Sequence, residues 1–425
     1  VHLELRRGSA IEHATLPARV EVEVLEPDMV RDSAAPADRV AEAMRRPLGE
    51  GAGISIPAHA SVLVLVPDAT RPAFLPEILP VVLAELERQG VARRRVQIAI
   101  AGGAHATPSD ARARALVGEE AARGVVHRHD ASSGPHFRAG ETHRGTPVEL
   151  DDALREAEAV VAIGPVAWHY FAGYGGGPKL VFPGMASRRG AESNHALSLA
   201  PTPDESPLHP GCRPGVLHGN PVAEDLREAA GHAPVDYEVS FVADDAGIAA
   251  AWAGRPPRAQ QAAQEWLSEH ARRGAPQAGD LVVTSAGGFP HDVDWIQAHK
   301  ALFHAGLHAR PGATLVLVAE CGEGIGSPSF ERAMSLPEEE SRARLREHFM
   351  LNGQTALSTR WHARRHRVIL VSRLAAEMVR TWGFEPATDL GAALVSAAPP
   401  AGARVVLLPR ATAVVPLEEE APAPA

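Results

Sequence analysis

Along this chain, short apolar runs of five or six residues recur. Each is closed by a turn-forming residue and followed by a stretch with helical spacing. Ser61–Val66 (SVLVLV) stops at Pro67-Asp68, and residues 76–89 then place apolar side chains at helical intervals. Val96–Ala101 (VQIAIA) stops at Gly102-Gly103, and a helix is expected over 108–116, with Thr107 as its cap and Pro108 as its first residue. Ala159–Ile163 (AVVAI) stops at Gly164. Asp280–Thr284, Ala313–Val318, Arg367–Ser372 and Arg404–Leu408 are runs of the same kind, and 296–305 reads as a helix. Runs that are apolar throughout, rather than alternating, are strands covered on both faces, as in parallel sheets with helices on either side.

The expected fold is therefore α/β, Rossmann-like, in two domains with mainly parallel sheets and an active site in the cleft between them. Composition changes at 271–279 (ARRGAPQAG), after a helix and before a new strand. The expected division is an N-terminal α/β domain over 1–277 and a C-terminal α/β domain over 278–400. A segment over 401–425 is expected to pack back on the first domain, its tail (EEEAPAPA, 418–425) disordered. Residues 201–214, rich in Pro, Ser and His, read as a long loop. Ligands of open α/β sheets bind beyond the carboxyl ends of the strands, so the polar residues just after these runs are the ones to weigh.

Composition narrows the classes. With 425 residues, 45% hydrophobic and 22% charged, the chain can bury large cores. A net charge of −10 argues against nucleic acid or an anionic membrane as partner. No apolar run approaches the roughly 20 residues of a membrane span, and the first ten residues lack a signal-like apolar segment, so a cytoplasmic location is expected. Two cysteines, Cys212 and Cys321, cannot form a disulfide framework or a four-cysteine zinc site. The basic residues are more telling: of 42 Lys and Arg, only Lys179 and Lys300 are lysines. Lysine kept in an arginine-biased chain points to chemistry that needs an amine, because arginine stays charged and cannot act as a nucleophile. Asparagine is equally scarce, at Asn194, Asn220 and Asn352.

Four segments carry candidate chemistry. In PDATRP (67–72), Arg71 can hold a carboxylate bidentately and Asp68 can orient it, the plain alternative being a turn with Asp68 or Thr70 as a helix cap. In AGGAHATP (101–108), His105 is a strand-end acid or base, one among 21 histidines. WHYFAGYGGGPKLVFPG (168–184) combines His169, the glycines Gly175, Gly176 and Gly177, and Lys179, with His195 sixteen residues further on. It is not a phosphate loop, because Pro178 precedes the lysine and Leu180 follows it. In GGFPHDVDWIQAHKAL (287–302), Gln297 and Lys300 share one helix face.

At these segments, together with Asn194-His195 and GNPVAEDL (219–226), the sequence resembles the nickel-dependent lactate racemase family of 2-hydroxyacid racemases and epimerases. The motifs fall in family order from Asp68 to Lys300. The resemblance implies inversion at C2 of a small 2-hydroxyacid by reversible hydride transfer. The implied cofactor is a nickel-pincer nucleotide, pyridinium-3,5-bis(thiocarboxylic acid) mononucleotide, supplied by maturation enzymes and tethered at Lys179. It implies His195 as nickel ligand, His105 and His169 as paired acid/bases, and Arg71, Gln297 and Lys300 around the substrate. Asp68 and Gly175–Gly177 are expected near the cofactor. The chain departs from the family in reading GGGPK at 175–179 where SGGAK is common, and in having no tryptophan aligned near Gln354. The second departure leads to the expectation of a substrate larger than lactate. Two other classes fit subsets of these residues. One is a Schiff-base enzyme of the pyridoxal-phosphate type built on Lys179. The other is a non-catalytic carboxylate-binding protein using Arg71 and Lys300, a role that needs none of the three histidines.

Overall fold

The computed structural model describes residues 1–417 other than 17–18, 30–32, 50, 52, 72, 203–205 and 207. The 418–425 tail, Pro72 and part of the 201–214 loop thus lie outside the described residues. Two compact units result. One comprises Met29–Leu197 and Gly211–Ser268, the other Val1–Asp28, Ser198–Pro210 and Glu269–Ala425.

The first unit is built on six strands in the order Gly247–Gly254, Tyr237–Asp244, Ala159–Pro165, Val62–Pro67, Val96–Ala101 and Val125–Arg128. Only the Gly247–Gly254 pairing is antiparallel. The central strands are buried at every position, and their side chains alternate between two cores. Val62, Val64 and Val66 join Ile78, Leu79 and Val82 of helix Leu75–Arg88, while Leu63 and Leu65 join Leu180, Phe182 and Leu226 on the other face. Truncating fully buried Leu65 to alanine would cost about 2–5 kcal/mol. From Val62–Pro67 the chain builds outward to one side through Val96–Ala101, and later to the other through Ala159–Pro165. The carboxyl ends of these three neighbours flank a topological switch point, the usual ligand crevice of such sheets.

The second unit is an all-parallel sheet ordered Glu385–Ala387, Arg367–Val371, Ala309–Val318, Gly279–Ser285, Arg404–Leu408 and Glu21–Val24. It corrects the expected division twice. Residues 1–28 belong with the C-terminal sheet, where Glu21–Val24 is an edge strand and the hairpin His2–Arg7/Ala10–Thr15 caps one core with Leu3 and Leu5. Arg404–Leu408 lies inside that same sheet, between Gly279–Ser285 and Glu21–Val24, not on the first unit. The edge strand is four residues of alternating Glu and Val, so its own pattern names no partner. Among the described residues no helix is long and apolar enough to cross a membrane.

Candidate active site

Three of the four segments converge because they follow three neighbouring parallel strands. Asp68 and Arg71 follow Val62–Pro67, His105 follows Val96–Ala101, and Trp168–Lys179 follows Ala159–Pro165. The second and third are tied directly: Gly103 N–H donates to the Gly184 carbonyl at 2.9 Å. Gly103 has φ +55, and a Cβ there would lie 3.2 Å from the Pro183 carbonyl.

Asp68 is no helix cap. The next helix starts at Leu75 without a side-chain cap, and Asp68 Oδ1 instead accepts from the Thr70 N–H and hydroxyl at 3.0 and 2.6 Å. Its Oδ2 meets His105 Nδ1 at 2.5 Å. Burial opposes ionisation of Asp68, but the bond to His105, the His105 charge, the Thr70 hydroxyl and the Arg71 guanidinium outweigh it and hold the carboxyl well below its usual range. The ionised carboxylate fixes the half-exposed His105 ring by one nitrogen. The helix after His105 is capped by Ser109, not Thr107; Ser109 Oγ accepts from Arg112 N–H, while the Thr107 hydroxyl donates to the His129 carbonyl. Thr107 is thereby drawn from the helix to the neighbouring Val125–Arg128 edge.

His169 closes a two-residue hairpin in which Trp168 and His169 pair with Tyr174 and Gly173. The Ala172 N–H donates to His169 Nδ1 at 3.1 Å. Phe171 stands edge-on to both His169 and His195, with ring centroids 4.6 and 4.9 Å away, and so links the two histidines. The glycines of 175–177 are not equivalent. At Gly176 (φ +77) a Cβ would sit 2.6 Å from the Pro165 carbonyl, and at Gly177 (φ +54) it would strike Gln260, whereas Gly175 faces only Ala167 O at 3.8 Å. Packing within the protein therefore requires glycine at 176 and 177 and leaves Gly175 without such a demand.

Lys179 lies in the short 3-10 turn Gly177–Leu180. Desolvation, with the Arg71 charge adding to it, pushes its amine down to about 7, so a large part is neutral near neutral pH. His195 sits in the last turn of helix Arg188–Ala196. Desolvation, then the Lys179 and His105 charges, push it down to about 3, which keeps the imidazole neutral with a lone pair. A cavity of about 320 Å³ borders Lys179, lined among others by Tyr174, Gly176, Arg227, Gln260 and Gln264, a size typical of small-molecule sites. Among the described residues, the one trio of His, Cys, Asp or Glu with ligand atoms within 4.8 Å of one another is His2, Glu4 and His13, exposed on the hairpin of the other unit. Among the described residues, His195 belongs to no such trio.

Residues 8–205 match the lactate racemase N-terminal domain family, and residues 275–415 match the lactate racemase C-terminal domain family. The chain belongs to the lactate racemase family. That membership makes it an isomerase. The lactate racemase of Thermoanaerobacterium thermosaccharolyticum is 29% identical over 348 residues, 79% of each chain. The lactate racemase of Lactiplantibacillus plantarum is 26% identical over 273 residues, 64% of this chain and 62% of the relative. The structure of the Thermoanaerobacterium thermosaccharolyticum lactate racemase apoprotein aligns with 98% of this chain and 100% of its own, with a TM-score of 0.85 and 26% identity. A Thermotoga maritima protein shares the fold at a TM-score of 0.67 and 15% identity, over 93% of this chain.

In this member of the lactate racemase family, Gln297 and Lys300 meet on helix Trp295–His308. Lys300 Nζ donates to Gln297 Oε1 at 2.5 Å, and Asp294 caps the helix through the Gln297 N–H. Gln354 is buried in helix Gly353–Arg365. Sequence reasoning missed a brace behind His195. Buried Asn194 donates from Nδ2 to Asp225 Oδ2 at 2.9 Å and to the Val222 carbonyl at 3.1 Å, and the Thr142 hydroxyl donates to Asp225 Oδ1 at 2.5 Å. Asn220 caps the helix carrying Asp225. The scarcity of asparagine was the available signal: two of the three asparagines are these fully buried residues.

Proposed function

We propose that this chain interconverts the two configurations at C2 of a small 2-hydroxyacid, with lactate, the acid named for its relatives, as the reference substrate. The observation carrying this reading is the arrangement at three adjacent strand ends: an Asp68–His105 pair, a second histidine at His169, a partly neutral Lys179 amine and a neutral His195.

The residues fit a lysine-tethered nickel-pincer nucleotide. Covalent attachment needs a neutral amine, and the partly neutral Lys179 offers one. Nickel takes imidazole readily, and a neutral His195 offers its lone pair without competing protonation. Lys179 would carry the tether and His195 the metal. When bound, such a nucleotide would supply reversible hydride-accepting chemistry.

The chain's own groups do the rest. Arg71 holds the substrate carboxylate. His105 accepts the hydroxyl proton at Nε2, and Asp68 stabilises the resulting imidazolium. His169 serves the other face, because inversion at one carbon needs a proton-transfer group for each configuration. The assay is conversion of L-lactate to D-lactate by cofactor-loaded protein, read by chiral chromatography. His105→Ala and His169→Ala are each expected to lower the rate by about 10²–10⁴. A variant racemising at the parent rate would remove that histidine from the mechanism.

A further inference from the structure

His105 and His169 sit in opposite hydrogen-bonding surroundings. A backbone N–H can only donate, so the 3.1 Å contact from Ala172 makes His169 Nδ1 an acceptor, and the neutral ring carries its proton on Nε2. An ionised carboxylate can only accept, so Asp68 makes His105 Nδ1 the donor and leaves the neutral ring's lone pair on Nε2. The surroundings of His169 also hold its ring plane: Tyr170 stacks on it at 5.5 Å and 15°, and Phe171 stands edge-on at 4.6 Å.

We propose that the two histidines rest in opposite tautomers and enter the reaction unequally, His105 as a base at Nε2 and His169 as a hydrogen-bond donor through Nε2–H, with the Ala172 amide as the positioning group that holds His169 in that state. This rests on the two-histidine reading above. The proton balance gives the consequence. When the substrate hydroxyl faces His105, its O–H bond breaks, the electron pair stays on oxygen and the proton goes to His105 Nε2. When it faces His169, Nε2 already bears a proton and the only lone pair, on Nδ1, is engaged by Ala172. For His169 to become a base, Nδ1 must take a proton from solvent, displacing the Ala172 N–H, and Nε2 must release its own. The contact spans one tight hairpin turn, so this release is local. One enantiomer therefore enters without rearrangement, and the other starts with a change in the 170–172 turn.

The test is a long-range proton–nitrogen correlation spectrum of the full chain with ring-¹⁵N histidine, near pH 7.5, using His105→Gln and His169→Gln to assign the two rings. The expected spectrum shows a bare Nδ1 and protonated Nε2 for His169, and the reverse for His105. A protonated Nδ1 on His169, or an averaged pattern between tautomers, overturns the proposal. The parent is expected to show a single-turnover lag with only one enantiomer; Ala172→Pro removes the N–H and is expected to shift His169 toward the Nδ1–H form and to abolish that lag. Should that variant misfold, the parent spectrum decides. Wild-type racemisation by His169→Gln would instead defeat the two-histidine reading, a result distinguishable from any tautomer pattern.

Discussion

The two units use histidine for different ends. In the first unit, His105 pairs with Asp68 beyond one strand, His169 follows another, and His195, on a nearby helix, feels the Lys179 charge. In the second, His299, His304, His308, His362 and His366 are packed into the interior on and around helices Trp295–His308 and Gly353–Arg365. Desolvation is the leading cause of a lowered pKa in both places: about 3 for His195, and about 3 and 4 for His308 and His304. A depressed pKa alone therefore does not mark chemistry. What separates the regions is the variety of groups that converge. The first unit gathers a carboxylate, an amine, a guanidinium and imidazoles at a topological switch point. The second stacks His362 on His366 with their ring nitrogens lacking hydrogen-bond partners.

The comparison can be broken most severely at Lys179. Lys179→Arg keeps the charge and loses the amine chemistry, and racemisation is expected to vanish while the protein stays folded. His195→Ala should likewise leave a folded protein, one that no longer retains nickel on dialysis. If metal analysis of that variant matched the parent, His195 would be excluded as ligand.

Acid should strike the second unit. Its interior histidines titrate lower folded than unfolded, so below pH 6.5 the unfolded chain binds more protons, and stability present above 6.5 is lost as pH falls toward 4. Each fully depressed histidine contributes about 1.4 kcal/mol per pH unit in that window. Thermal melts between pH 7.5 and 5 should show this loss. His362→Leu, which removes two unpartnered nitrogens, should make the dependence shallower. Equal pH slopes in the variant and the parent would show that His362 is not among the groups responsible.

A smaller effect is expected at Asp225. Asp225→Ala leaves Asn194 Nδ2 and the Thr142 hydroxyl each short of a partner, at a cost of about 1–3 kcal/mol, and should weaken nickel retention through His195. Melting temperature and metal content measure the two separately. The smallest effect concerns substrate choice. With no tryptophan aligned near Gln354, malate, phenyllactate or gluconate should exceed lactate in kcat/KM by a modest factor. A wide preference for lactate would end the larger-substrate expectation.

The sheets and the four candidate segments were readable in the sequence because buried parallel strands are apolar throughout and end in turn residues. Val62–Pro67 and Ala159–Pro165 fit that pattern over nearly their whole length. The domain division was not readable, because the pairing of Glu21–Val24 with Arg404–Leu408 joins residues nearly four hundred positions apart and leaves no local trace. The lysine count exposed Lys179, but its lowered pKa depends on burial and then on the Arg71 charge, which only the fold brings together. The His105–Asp68 pair likewise spans two strands, and Asp225 hid among ordinary helix carboxylates.

The most direct test of Lys179 as the attachment point is intact-protein mass spectrometry, with peptide mapping, on active protein from its native host. The expected result is a mass above that of the sequence, with the addition confined to the peptide containing Lys179 and absent from Lys179→Arg. An active enzyme whose Lys179 peptide is unmodified would contradict the account.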